Sequence, residues 1–369
     1  MTETHQAESL ADVVDAVAQA RADGRALETR GGGTVLDRLP PTPPDAGVLD
    51  VSALSGVVDH AAADLTVTVR AGTTLTELGE ALAAHGQECP IEAPDGLGST
   101  VGGRVATALA GPRQAGAGRV RDWLLRVKFV TGEGRAAKAG GKTVKDVTGY
   151  DLCRLLCGSW ATAAVITEVT LKLRPIPPAG GWFVTDEPME RWRDALWWPA
   201  AVVTTPTGSH VYLEGHPDDV DEQARAARLR RAEAPELPGH APAAVDPSRH
   251  APDAVHPSLL HARAAVDPSL VHAFVGDLPD DVEWAAEPEI GAVHLSGDAE
   301  SLATARKAAS GHGGRLLLLS RQGELSQHGE LSQQGELPAF GGAPGGPLAD
   351  RVTRALDPDD TLAPWRWHR

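Results

Sequence analysis

Apolar residues recur at two spacings along this chain, and the switching between them predicts a mixture of helices and strands. Leu10, Val13, Val14 and Val17 fall at helical spacing between Ser9, suited to an N-cap, and Gly24, suited to the C′ position. Residues 25–29 predict a short strand entering a glycine run, and the short apolar run at 48–51 predicts another. Residues 65–70 (LTVTVR) alternate strictly, which predicts a half-buried strand with Leu65, Val67 and Val69 on one face. Residues 74–85 then form an amphipathic helix opened by a Thr74–Glu77 capping box and closed at Gly86. Residues 101–110 predict a short helix, residues 124–130 a strand turning through 131–134, and residues 151–157 a further helix. Across 165–174 the alternation returns, with Val165, Val169, Leu171 and Leu173 inward and Glu168, Lys172 and Arg174 outward. Pro175, Pro177 and Pro178 punctuate its end.

Past Pro178 the pattern loosens. Residues 201–204 and 210–213 are strand-like, residues 299–309 predict a helix, 315–320 a strand and 348–356 a last helix. Residues 232–270 are rich in Ala, Pro and His, with AAVDPS twice, and residues 321–346 repeat GELSQ; both predict flexible low-complexity insertions. The expectation is an α+β chain of two parts, 1–176 and a smaller α/β C-terminal domain at 177–369.

Glycine placement brings in the first chemistry. Residues 94–111 (PDGLGSTVGGRVATALAG) run from a glycine loop into a helix, whose first N–H groups lack intrahelical partners and suit a phosphate. A second run, Arg30-Gly31-Gly32-Gly33-Thr34, stands upstream. Neither is a GxGxxG, which disfavours a nicotinamide site. Gly140-Gly141-Lys142-Thr143 ends like a P-loop, but Ala136 stands where its first glycine belongs. Cys153 and Cys157 lie one helical turn apart; small buried side chains are favoured over a metal site. His240, His250, His256, His261 and His272 fall mostly in the biased stretch, and His294 and His312 are isolated candidates for a base.

The net charge of −16 argues against a nucleic-acid partner. Three cysteines suit a reducing compartment, the polar N-terminus lacks the pattern of a secretion signal, and no apolar run approaches a membrane span. These features predict a soluble, cytoplasmic protein.

RGGGT at 30–34, GLGSTVGGRVAT at 96–107, GAGRVRDWLLRVKFVTGEG at 116–134, GGKTVKDVTGYDLCRLLCGS at 140–159 and ITEVTLKLRP at 166–175 occur in one order. Together they resemble the FAD-binding domain of the vanillyl-alcohol oxidase/p-cresol methylhydroxylase (PCMH-type) flavoproteins, and residues 145–156 are most similar to the FAD-binding subunit of glycolate oxidase. The resemblance implies two subdomains gripping an extended FAD. Gly31, Gly32, Gly33 and Thr34 would wrap the pyrophosphate, and Gly98, Ser99, Thr100, Val101, Gly102 and Gly103 would hold its other side. Gly118, Arg121 and Asp122 would shape the flavin pocket, and Ile166 would lie against adenine or ribose. Lys145, Gly149 and Tyr150 would support the flavin-facing wall, unless Tyr150 is a core residue anchoring the next helix.

Two departures stand out. No histidine occurs between Arg30 and Val48, so non-covalent FAD is expected, and Ala161 and Ala164 replace family glycines. If those positions need φ > 0, affinity for FAD falls. By resemblance the chain is an FAD-binding subunit oxidising glycolate or another small 2-hydroxy acid, beside a larger FAD-linked subunit and an iron–sulfur subunit. Such a complex would be cytoplasmic or peripheral to the inner face of the membrane. The alternatives are a stand-alone D-lactate or 2-hydroxy-acid dehydrogenase, and a non-catalytic assembly subunit.

Overall fold

The computed structural model describes residues 3–35, 42–92, 98–141, 151–238, 260–318, 351 and 353–362. Helix starts follow local chemistry. Ser9 and Asp12 form a reciprocal capping box on Leu10–Ala22, and Thr74 and Glu77 form another on Leu75–Ala83. Such a box satisfies two amides that no helical carbonyl can reach. Gly24 and Gly86 follow these helices at φ of +63° and +65°.

Two larger sheets, beside the short pair Gln87–Glu88 and Arg174–Pro175, make the first part of the fold. Thr4–Gln6, Gly47–Asp50 and Leu27–Arg30 pair in parallel, in that spatial order. The five-stranded sheet is antiparallel, ordered Val57–Ala61, Thr66–Arg70, Ala164–Lys172, Leu124–Thr131 and Ala136–Gly140. Its core side carries Val67, Val69, Val127, Phe129, Val169 and Leu171 against the helices Leu75–Ala83 and Val101–Thr107.

Four local expectations are corrected here. Leu65 leaves the strand in a left-handed conformation (φ +53°), and Thr68 is buried because its hydroxyl pairs with that of Thr170 at 2.9 Å. The helix after the second glycine loop stops at Thr107, where Ala108 turns to φ +53°. Val165 faces away from Val169, joining Val13, Val17, Leu49 and Val130 in a separate core. The cause is a bulge: Lys128 pairs with Glu168 but Phe129 with Ile166, so Thr167 is the extra residue and side-chain parity flips across it. The Thr167 carbonyl accepts from the Ala71 amide, which fixes the loop opposite the second glycine run.

The last correction concerns residues 260–270, expected within a flexible insertion. Leu260–Ala265 is instead an interior strand of an eight-stranded antiparallel sheet. The order is Arg230–Ala232, Ala179–Thr185, Gly208–Gly215, Ala201–Thr205, Glu283–Glu287, Ala292–Gly297, Leu260–Ala265 and Arg315–Leu318. Helices Pro217–Ala226, Val271–Gly276 and Ala299–Gly311 cover one face of this sheet. The GELSQ repeats and His240, His250 and His256 lie outside the described residues.

The other face turns toward the first part of the chain. Tyr212, Glu214, Ala285, Glu287, His294, Arg263 and Leu317 alternate with the helix-covered residues and therefore share it. At one end Glu214 bonds Arg113 (2.8 Å) and Arg174 (2.7 Å), which also meet Glu88 at 3.2 and 2.6 Å. At the other end Leu317 packs on Trp160 and Val35. The chain's last described stretch also returns to the first part: Leu362 bridges Leu27 in parallel and is fully buried.

Candidate functional site

Residues brought together from five separate stretches line one cleft of about 680 Å3, open solvent at its mouth included. Gly31, Gly32, Gly33 and Thr34 form one wall; Ser99, Thr100, Gly102 and Gly103 form the other; Ile166 lies at its base. Strand Leu27–Arg30 delivers the first run and the Thr74–Thr100 bridge pins the second. The bulge at Thr167 restores Ile166 to the cleft side of its strand.

The two walls touch. A Cβ on Gly31 would stand 2.6 Å from Thr100 Oγ1, and one on Gly32 would overlap the carbonyl oxygen of Gly98. Gly102 is held to glycine by packing, since a Cβ there would meet the Ala71 Cβ at 2.6 Å. Donors are unevenly divided. Val101 and Gly102 give their amides to the Thr73 and Ala71 carbonyls, and the Gly103 amide goes to Thr100 Oγ1 at 3.2 Å. By contrast, among the described residues nothing accepts from the amides of Gly31, Gly32 or Gly33. Successive free amides in a concavity suit an anion. Behind the second wall Arg104 is fully buried, donating to Ser99 Oγ (2.6 Å) and the Leu109 carbonyl (2.8 Å), so a fixed guanidinium backs the same cleft.

Not every expected residue lines it. Val101 points into the core, and Gly98 supplies backbone to the wall. Gly118 (φ +93°) ends a short turn, and Arg121 and Asp122 sit in the next one, Val120–Trp123, which packs on helix Val101–Thr107; none of the three is among the cleft residues. Lys145, Gly149 and Tyr150 lie outside the described residues. Cys153 is buried with its thiol on the Ala139 carbonyl (3.4 Å), and burial pushes the Cys157 thiol up to about 12.

Cleft residues missed from sequence include Val51, Ala71, Ala106, Thr107 and Trp160. Ala106 and Thr107 carried a signal, standing four residues after Gly102 and Gly103 on the same helical face. Trp160 had none. It and Ala161 hold consecutive left-handed conformations, φ +55° and +58°, whereas Ala164 is ordinary buried strand.

A second polar group lies on the inward face of the eight-stranded sheet. His294 Nε2 and Glu287 Oε1 are 2.7 Å apart, both essentially buried, with Arg263 Nη2 3.9 Å from the same oxygen. Burial raises the Glu287 carboxyl to about 7 against the pull of Arg263. Burial also drives His294 well below its ordinary value, and Arg263 adds to that. His312 is elsewhere, on the helix-covered side, paired with Asp277 at 2.8 Å.

Residues 4–140 match the family profile of the FAD binding domain. Over 132 residues the chain is 42% identical to glycolate oxidase subunit GlcE of Escherichia coli (36% of this chain, 38% of that protein). It is 36% identical over 146 residues to a D-lactate dehydrogenase of Archaeoglobus fulgidus (40% and 32%). It is 33% identical over 150 residues to glycolate oxidase subunit GlcD of Bacillus subtilis (40% and 32%). The chain thus matches about a third of these relatives' length, 32–38%. Among solved structures, alkyldihydroxyacetonephosphate synthase superposes with a TM-score of 0.67 at 13% identity, covering 99% of this chain and 76% of that one, a likeness of fold. The match of residues 4–140 to the FAD binding domain implies FAD as the cofactor.

Proposed function

We propose that this chain is the FAD-binding component of a glycolate oxidase-type enzyme that oxidises a small 2-hydroxy acid, glycolate to glyoxylate. Its partners would be a larger FAD-linked subunit and an iron–sulfur subunit that takes the electrons. The observation that carries the proposal is the convergence of Gly31–Gly33 and Ser99–Gly103 on one cleft, in a segment 42% identical to GlcE.

The residues present fit the cofactor. The free amides of Gly31, Gly32 and Gly33 would hold the diphosphate, with Thr100 opposite and the Arg104 guanidinium behind Ser99. Trp160 and Ile166 would bound the apolar part of the ligand. Gly118, Arg121 and Asp122 would form a separate contact zone toward the flavin, across helix Val101–Thr107. A bound flavin supplies the acceptor for hydride from the carbon bearing the hydroxyl. The protein's own share is orientation, exclusion of water and placement of charge. The division at 176/177 is part of the proposal: the first part would hold FAD, and the inward face of the eight-stranded sheet would cover it. Among the described residues no helix is long and apolar enough to cross a membrane; a cytoplasmic place, at most peripheral to the membrane through the complex, completes the proposal.

A second reading, an assembly subunit without turnover, draws on Ala161, which stands where the family has glycine and holds a φ of +58°. One experiment separates these possibilities. The purified chain is examined for flavin absorbance, then mixed without air with glycolate or D-lactate. Flavin that persists until a partner subunit is added supports the proposal. Bleaching by the chain alone makes it a self-sufficient dehydrogenase, and a colourless chain that takes up no added FAD leaves the assembly reading.

A further inference from the structure

The inward face of the eight-stranded sheet is anchored to the first part of the chain at two places, Glu214 on Arg113 and Arg174, and Leu317 on Trp160. Between these anchors the sheet presents Glu287, His294 and Arg263 on three neighbouring strands. Arg263 pairs directly with Leu317 across the antiparallel ladder, so the two side chains leave the sheet on the same side. Arg263 therefore stands one strand from a residue that packs on Trp160, itself part of the cleft wall.

The hydrogen-bonding state of this arginine is unusual. A guanidinium carries five N–H donors in a planar fork. Among the described residues, none accepts a hydrogen bond from Arg263: its Nε is buried without a partner, and the nearest carboxylate oxygen, Glu287 Oε1, is 3.9 Å away. The side chain keeps 24% of its surface exposed. Beneath it Glu287 gives one oxygen to His294 at 2.7 Å, and its other oxygen, Oε2, is buried without a partner. Buried polar atoms left unmet in a folded protein call for a group that completes them. A planar fork with unmet donors matches a carboxylate, which it can hold through two parallel bonds.

We propose that Arg263 is the receptor for the carboxylate of a small hydroxy acid, held in place on the inward sheet face by the buried Glu287–His294 pair. The proposal rests on the 2-hydroxy-acid reading above and assigns the end of the substrate that does not react. A single arginine, beside a compensating glutamate, selects one carboxylate on a compact molecule.

The test uses the full chain and three probes: glycolate without air, unreactive oxalate, and inorganic phosphate, each titrated by calorimetry. Arg263→Met is expected to weaken oxalate and glycolate binding roughly tenfold or more, the loss of a charge-assisted pair, while FAD content and thermal midpoint stay as in the parent. Arg263→Lys should recover part of the affinity, because the charge remains and the fork does not. If Arg263→Met folds poorly, Arg263→Lys alone decides, by binding oxalate more weakly than the parent with normal FAD content. Equal oxalate affinity in parent and variants overturns the proposal, and so does a chain that binds FAD but no oxalate. Phosphate binding as tight as oxalate overturns the carboxylate assignment. A chain with Arg263-dependent oxalate binding and no FAD upholds this inference while refuting the flavoenzyme reading.

Discussion

Gly32 lies so close to Gly98 that no side chain fits between them: a Cβ on Gly32 would overlap the Gly98 carbonyl oxygen. The contact joins the two glycine runs, which stand 66 residues apart, at the mouth of one cleft. Gly33, next in the chain, has open space where a Cβ would go and needs glycine for its φ of +73° alone. Gly32→Ala should therefore force the walls apart, cost about 2 kcal/mol or more by overpacking, and abolish FAD retention. Gly33→Ala should cost about 1 kcal/mol of backbone strain and keep part of the flavin. Flavin per chain and unfolding by urea check the order, which a milder Gly32→Ala would reverse.

Ala161 occupies a conformation that suits glycine, and Ala164 one that does not. Relieving the left-handed strain with Ala161→Gly is expected to stabilise the fold by about 1 kcal/mol, after the entropy gained by the unfolded chain is deducted. Ala164→Gly, in a fully buried strand position, is expected to cost about 1 kcal/mol. Paired denaturation curves should move in opposite directions. Movement of both the same way would refute the backbone argument.

Glu92 gives stability a dependence on pH. Its carboxylate accepts the Arg113 amide at 2.9 Å. Burial pushes the carboxyl up to about 7 despite that bond and the Arg113 charge, against 4.5 in the unfolded chain. The folded state then binds more protons between pH 4.5 and 7, so the stabilisation present below 4.5 is lost as pH rises through 7. Glu92→Gln removes this loss. Relative to the parent, the variant should gain about 2 kcal/mol between pH 4.5 and 8, allowing for partial solvent contact. Parallel stability profiles for parent and variant would show that Glu92 does not titrate abnormally.

Glu214 joins the eight-stranded sheet to Arg113 and Arg174, at 2.8 and 2.7 Å, with Glu88 completing the ring. Glu214→Ala leaves two half-buried guanidinium groups sharing one carboxylate, at an expected cost of about 2–3 kcal/mol. A double-mutant cycle with Arg174→Met should return a coupling of about 1 kcal/mol or more. Additive losses would mean that the ring does not hold the sheet in place.

The helix starts at Ser9 and Thr74 were legible because a capping box is completed within three residues. The two glycine runs were legible because Gly32 and Gly102 sit where a Cβ would meet a neighbouring backbone and Gly33 holds a positive φ, positions that call for glycine. Leu260–Ala265 was not. Its helix-facing residues are Leu260, Ala262 and Ala264, and two alanines in three give an alternation too faint to stand out from Ala-rich sequence. Val165 was misplaced for another reason: one extra residue at Thr167 reverses every side chain beyond it, and nothing local announces a bulge.

Sequence by itself determined the short-range matters: caps, turns, the strand and helix periods, and the two glycine runs with their capacity for an anion. Only the tertiary structure decided which residues meet. Trp160 reached the cleft through a left-handed turn, and Arg263, Glu287 and His294 reached one sheet face through strand register and side-chain parity. Such pairings depend on contacts between residues distant along the chain, so no single stretch of sequence contains them.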